Sequence, residues 1–185
     1  VQTRALPIPM PRISARAVVV TLVGLLVVAQ VYRPAQTNPV AAPEDSFWAH
    51  HPGNEAAKAI FDRSCQDCHS NDTTWPWYSK VAPVSWLISR DVREGRRELN
   101  LSEFYKTPTP RPGQTPEQAA TMAVGRRSRK VKEICDQVKE GEMPMWIYTA
   151  IHQGAKLQPG DADTLCALMN LLPPAPPRPT PPTGR

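Results

Sequence analysis

No aspartate or glutamate occurs before Glu44, so the first part of the chain carries positive charge alone. No segment alternates apolar and polar residues convincingly, as a half-buried strand would, and this argues against a sheet. No basic stretch is interleaved with aromatics. The formal net charge is +5, and setting aside Arg4, Arg12 and Arg16 leaves only +2, too little to suggest a nucleic-acid surface. The one dense basic run, Arg126 to Lys132, reads as a solvated helix face. Cysteine is scarce, at four residues in 185, so each one calls for a role. Proline is plentiful instead, with 22 residues, and its clusters cannot hold a helix interior or a central strand.

The first landmark is AVVVTLVGLLVVAQV, residues 17–31, which carries no charge. At 1.5 Å per residue it covers about 22 Å, short of a hydrocarbon core of roughly 30 Å. That length suits a short anchor helix or the apolar region of a signal peptide cleaved after Ala29. We adopt the anchor reading, a single N-terminal transmembrane helix. Arginines precede the run, so the positive-inside tendency places residues 1–16 in the cytoplasm and the remainder outside it. Residues 32–46 read as a linker, 47–172 as the folded domain with a loop at 107–116, and 173–185 as an extended, disordered tail with seven prolines.

Within the domain the periodic segments read as helices. NEAAKAIFDRSC places Ala56, Ala59, Ile60 and Arg63 on one face, and VSWLISRDVREGRREL places Val84, Leu87, Ile88, Val92 and Leu99 on another. Gly95 weakens the middle of the second helix by up to about 1 kcal/mol. A long third helix starts at Thr115 with Pro116 in its first turn and stops at Gly141. A last one keeps Leu165, Leu168, Met169 and Leu172 on one side. The expected fold class is all-α.

Between these helices lies FDRSCQDCHSNDTTWPWYSK, with Cys65, Cys68 and His69 in the order C-x-x-C-H. A redox dithiol of the thioredoxin kind belongs where a strand meets a helix, and no strand is evident. A zinc site needs two further ligands, and Cys135 and Cys166 each stand alone in a helical pattern. In c-type haem attachment both thiols add to the haem vinyl groups and the adjacent imidazole faces the iron. That is the reading adopted: one covalent haem c, held by Cys65 and Cys68 and ligated by His69. The candidate for the opposite iron face is Met143 in KEGEMPMW, with Met145, His50, His51 and His152 as rivals. Trp75, Trp77 and Tyr78 read either as a haem wall or as ordinary core. Arg90, Arg93, Arg96 and Arg97 supply one or two partners for haem propionates, or merely a solvated face. Cys135 and Cys166 form an even remaining pair: a disulfide around the Met143 loop, or two buried thiols.

A helix ending in AIFDRSCQDCH, a later GEMP and a closing helix after AKLQPGDADTLCALMNLL resemble the layout of class I cytochromes c. More closely, CQDCHSNDTTWPWYSKVAPVSWLISRDVREGRRELNLSEF with EICDQVKEGEMPMWIYTAIHQGAKL resembles a small bacterial family described as the haem-binding domain, over roughly residues 17–172. The resemblance implies a membrane segment, haem on Cys65, Cys68 and His69, and Met143 as second axial ligand. AIHQGAKL departs from the HPxAxL of related sequences, which weakens any ligand role for His152. The expected function is a mono-haem c-type cytochrome, not an enzyme. It passes single electrons to redox partner proteins at the outer, periplasmic face of a bacterial inner membrane and touches lipid through its N-terminal helix. A haem-based sensor or a peroxidase-associated haem module is the alternative. With both Cys65 and Cys68 replaced by alanine, protein made with a haem-maturation system should carry no haem through acid–acetone extraction and denaturing electrophoresis; haem-stained protein after that treatment would refute attachment at these thiols.

Overall fold

The computed structural model describes residues 14–171. The expected extended tail at 173–185, Leu172 and most of the expected N-terminal tail lie outside them. Every regular element among the described residues is helical, so the chain is all-α. It divides into two compact units. The smaller comprises Val1–Ala35 and Pro76–Ser89, and the larger Gln36–Trp75 and Arg90–Arg185.

In the smaller unit the apolar run forms helix α1, Ala15–Ala29, started by the Ser14 hydroxyl, which accepts from the Ala17 N–H at 3.2 Å. None of its residues is buried. At 15 residues it is below a spanning length, and no helix among the described residues is long and apolar enough to cross a membrane. The expected transmembrane helix is therefore a short apolar helix. Gln30 follows it and pairs with Ala82 as one backbone would with another: its amide donates to the Ala82 carbonyl at 3.1 Å and accepts from the Ala82 N–H at 3.0 Å. The Trp86 indole N–H donates to the Tyr32 carbonyl at 2.9 Å, and the two rings meet at 6.2 Å.

The larger unit begins with residues expected to be a loose linker. Asn38 instead donates to the Thr73 carbonyl at 2.9 Å and accepts from the Trp75 indole at 3.1 Å. Helix α2, Phe47–His50, buries Phe47 completely, edge-on to Phe104 at 5.1 Å. Helix α3, Glu55–Ser64, buries Ala57, Ile60, Phe61 and Ser64. The expected face is rotated by about one residue, because the bulk of Phe61 sets which side turns inward; Ala56 and Ala59 are exposed. One helical turn, α4, Gln66–His69, follows directly.

Helix α5, Val84–Glu98, starts in the smaller unit and ends in the larger. It buries Ser85, Ser89 and Val92, while Val84 and Leu87 are exposed. Period alone chose the bulky stripe; the packed face is the one whose small side chains allow close approach. Helix α6, Pro116–Lys139, opens with a capping box between Thr115 and Gln118. Its basic run faces outward, apart from Arg127, which lies over the Tyr105 ring at 5.2 Å, and Lys130, which donates to Glu98 and Glu133 at 2.8 Å each. Helix α7, Trp146–Ile151, is short, and α8, Asp161–Asn170, buries Leu165, Cys166, Leu168 and Met169. Helix α8 packs on both α3 and α6, and Arg63 pairs with Asp161 where α3 ends and α8 begins.

Cys135 of α6 and Cys166 of α8 are joined in a disulfide, their Cα atoms 5.1 Å apart and 31 residues apart in sequence. Closing a loop of that length removes unfolded-state freedom worth about 3–4 kcal/mol. Replacing both cysteines by serine should lower unfolding free energy by about that amount in urea titration of the haem-loaded protein, without releasing the haem.

Candidate functional site

The C-x-x-C-H residues sit where α3 breaks. Cys65 leaves helical geometry at φ −131°, and α4 re-forms a turn whose His69 N–H donates to the Cys65 carbonyl at 3.0 Å. Cys65, Cys68 and His69 thus ride on one compact turn. Nδ1 of His69 lies 3.1 Å from the carbonyls of both Gly95 and Leu99. Carbonyls only accept, so Nδ1 carries the proton and donates to both. Nε2 is left with a free lone pair, the form in which imidazole binds a metal. Burial holds His69 below the usual imidazole range, with the two carbonyls pulling the other way.

The end of α5 reaches His69 because residue 95 is glycine. A Cβ there would lie 2.4 Å from the Cys68 carbonyl oxygen. The residue read in sequence as a weak point in a helix is the point of closest approach between α5 and the C-x-x-C-H turn.

Two clefts open on this turn, of about 250 Å³ and about 240 Å³, and Cys65, His69, Glu98 and Met143 belong to the walls of both. The first is otherwise mostly apolar, walled by Trp48, Phe61, Leu99, Leu101, Ile134, Val138, Leu165 and Met169. The second adds Cys68, Asp67, Ser64, Met145 and Tyr148. Cys65 and Cys68 are unbridged. Burial, and then the neighbouring Cys68, push the Cys65 thiol up to about 12; burial, and then Asp67, push Cys68 up to about 11. Neither is a resting thiolate of the kind a redox dithiol uses.

Met143 is placed by the way α6 ends. Gly141 takes a left-handed conformation at φ +75°, its N–H donates to the Val138 carbonyl at 3.3 Å, and that of Glu142 to Gln137 at 3.0 Å. This is a Schellman stop. The Met143 N–H donates to the same Gln137 carbonyl at 3.2 Å, so the methionine backbone is tied to the helix terminus. Met145 belongs to the second cleft only. The rival histidines are occupied elsewhere: His50 with the Glu44 carbonyl at 2.7 Å, His51 with the Tyr105 hydroxyl at 2.8 Å, and His152 stacked on Tyr148.

The expected haem wall lies elsewhere. Trp75 spends its indole on Asn38, and Trp77 and Tyr78 belong to the smaller unit, whereas the clefts are walled by residues of the larger one. The aromatics on the clefts are Trp48, Phe61 and Tyr148. Among the arginines expected at propionates, Arg96 donates to the carbonyls of Ser70 and Thr37 at 2.7 Å, to Thr73 Oγ1 at 2.7 Å and to Asn38 at 3.1 Å. It holds the incoming chain to the loop after His69. Arg90 pairs with Glu94 and Arg97 with Glu98.

Sequence reasoning missed Asp67, a spacer within C-x-x-C. Its carboxylate accepts from the Tyr148 hydroxyl at 2.8 Å and the Thr74 N–H at 2.8 Å, linking the thiol turn to the helix after Met143. Spacer positions carry no signal of their own, and Tyr148 has none either. The donor set suits a haem: two thiols, an imidazole with a free Nε2, a thioether and apolar walls. Ser64 Oγ, buried on the second cleft with no partner among the described residues, leaves a donor for a bound polar group.

The family model described as haem-binding domain matches residues 24–170 of the chain. No curated protein and no solved structure matches it. The packing of Gly95 on the turn predicts that Gly95→Ala destabilises the haem-loaded protein by about 1–3 kcal/mol through overpacking, although helix propensity alone would stabilise it by up to about 1 kcal/mol. Urea denaturation gives the sign.

Proposed function

From the premise that the chain belongs to the haem-binding domain family, and so binds haem, we propose that it is a mono-haem c-type cytochrome, an electron carrier rather than an enzyme. The observation that carries this reading is the grouping of both thiols, His69 with Nε2 unprotonated, and Met143 around the same clefts. Bound haem supplies a one-electron couple between ferrous and ferric iron, whose potential a thioether ligand raises.

The chain's own residues have separate tasks in this proposal. Cys65 and Cys68 would hold the haem through thioether bonds, each S–H adding across a vinyl group with no net oxidation. His69 supplies Nε2, while the Gly95 and Leu99 carbonyls prevent the ring from turning. Met143 would supply a thioether ligand to the iron from a loop tied to the end of α6, and Tyr148 on Asp67 keeps that loop against the thiol turn. The apolar side chains of the first cleft would favour the less charged redox state, while Asp67, Asp91, Glu94 and Glu98 on the second would favour the more positive one. Two protein ligands that stay in place suit electron transfer, since neither has to leave or enter. Helix α1, uncharged from Ala17 to Val28, is the proposed attachment to a bacterial inner membrane, with the haem domain on the periplasmic side.

Met143→Ala should abolish the methionine–iron charge-transfer band of the ferric protein in the near infrared and lower its reduction potential. Met145→Ala should keep both, and the haem should remain covalently bound in each. An unchanged band and potential in Met143→Ala would place the ligand elsewhere.

A further inference from the structure

The smaller unit differs from the rest of the chain in charge. Among its described residues it holds three cations (Arg16, Arg33 and Lys80) and no acid. The described residues of the larger unit hold fifteen lysines and arginines and all seventeen aspartates and glutamates, so the two units differ in sign. Its second segment is also unusually apolar outside: Trp77 is 78% exposed, Val81 44%, Val84 43% and Leu87 49%.

We propose that residues 76–89 form a second membrane contact, which lies in the headgroup region of an anionic lipid bilayer at the C-terminal end of α1. The proposal rests on reading α1 as a membrane anchor. Three observations carry it. The first is continuity: the paired hydrogen bonds of Gln30 and Ala82 hold this segment to the chain just after α1, and Trp86 holds Tyr32. Those bonds also satisfy the amide of Gln30, both backbone groups of Ala82 and the Trp86 indole, so what is turned outward carries little unmet polar demand.

The second is length. Helix α1 has 15 residues, about 22 Å, against a hydrocarbon core of about 30 Å. A helix that short leaves the bilayer to thin around it, and an adjoining apolar face rich in tryptophan extends the hydrophobic length at its end and suits the interface, where an amphipathic ring is favoured. The third is charge. At the C-terminal end of α1 the face carries Arg33 and Lys80 and no acid, which complements an anionic lipid surface and disfavours pairing of this face with a second copy of itself.

The test uses the full haem-loaded chain with p-benzoylphenylalanine at Trp77, at Leu87 or, as a control, at Met122, which is exposed on α6. Each variant is reconstituted in vesicles of phosphatidylcholine with or without phosphatidylglycerol, irradiated and digested for mass spectrometry. Lipid adducts should form at positions 77 and 87 and not at 122, and their yield should fall several-fold without phosphatidylglycerol. Protein that floats with the vesicles yet gives no lipid adduct at 77 or 87, or equal labelling at 122, would overturn the second contact and leave the anchor reading standing. Protein–protein adducts at 77 and 87 would assign the face to a second copy and overturn it too. Failure to float with either vesicle would overturn the anchor reading and the contact together.

Discussion

The imidazole of His69 gives one proton to two carbonyls at the end of α5, and the rest of the site is arranged around that bond. A helix C-terminus has carbonyls without helical partners, and here Leu99 supplies one of them while Gly95 shares its oxygen with the Leu99 N–H. The bond fixes the tautomer, turns Nε2 away from α5 and sets how near α5 must lie. That distance leaves no room for a side chain at residue 95. Ring orientation, helix position and the identity of one residue are thus a single constraint.

Around it, two polar side chains take parts that hydrophobic packing cannot. Asp67 joins the thiol turn to Tyr148 and so to the segment after Met143. Arg96 joins the loop after His69 to the chain entering at Thr37 and Asn38. Both are hydrogen-bonded through several partners, which is how a charged group can be held against a folded domain without a large desolvation penalty. Asp67 also walls the second cleft, whereas Arg96 walls neither. They keep separate pieces of backbone at fixed distances from the site, a role that a contact list centred on the iron would leave out.

The helices were legible because their start and stop chemistry is local: Thr115 with Gln118, the Gly141 stop and the apolar period of α8 all read directly. C-x-x-C-H was legible because the spacing itself is the chemistry. Less legible were the faces. In α5 the bulky residues define the stronger period, but the buried side is built from Ser85, Ser89 and Val92, and only the three-dimensional approach to Cys68 explains Gly95. The linker reading of residues 32–46 missed the docking of Asn38, since a side chain that bonds a backbone carbonyl 35 residues away leaves no pattern nearby. The tryptophans after His69 were placed by proximity in sequence. None of Trp75, Trp77 and Tyr78 walls either cleft, so closeness along the chain was no guide.

The Cys135–Cys166 bridge has a consequence for how the chain is made. Four cysteines allow three complete pairings, and two of those three join a haem-side thiol to the other pair. If haem is attached through Cys65 and Cys68 as proposed, every complete pairing would occupy those sulfurs, whereas the Cys135–Cys166 bridge alone leaves both free. Cys65 and Cys68 are close in sequence and available as soon as they are synthesised, whereas Cys135 must wait for α8 to pack on α6. In that proposal Cys65 and Cys68 have to be kept reduced until they are used, closure of Cys135–Cys166 removes both mispairings, and any additional cysteine would widen the set of wrong ones.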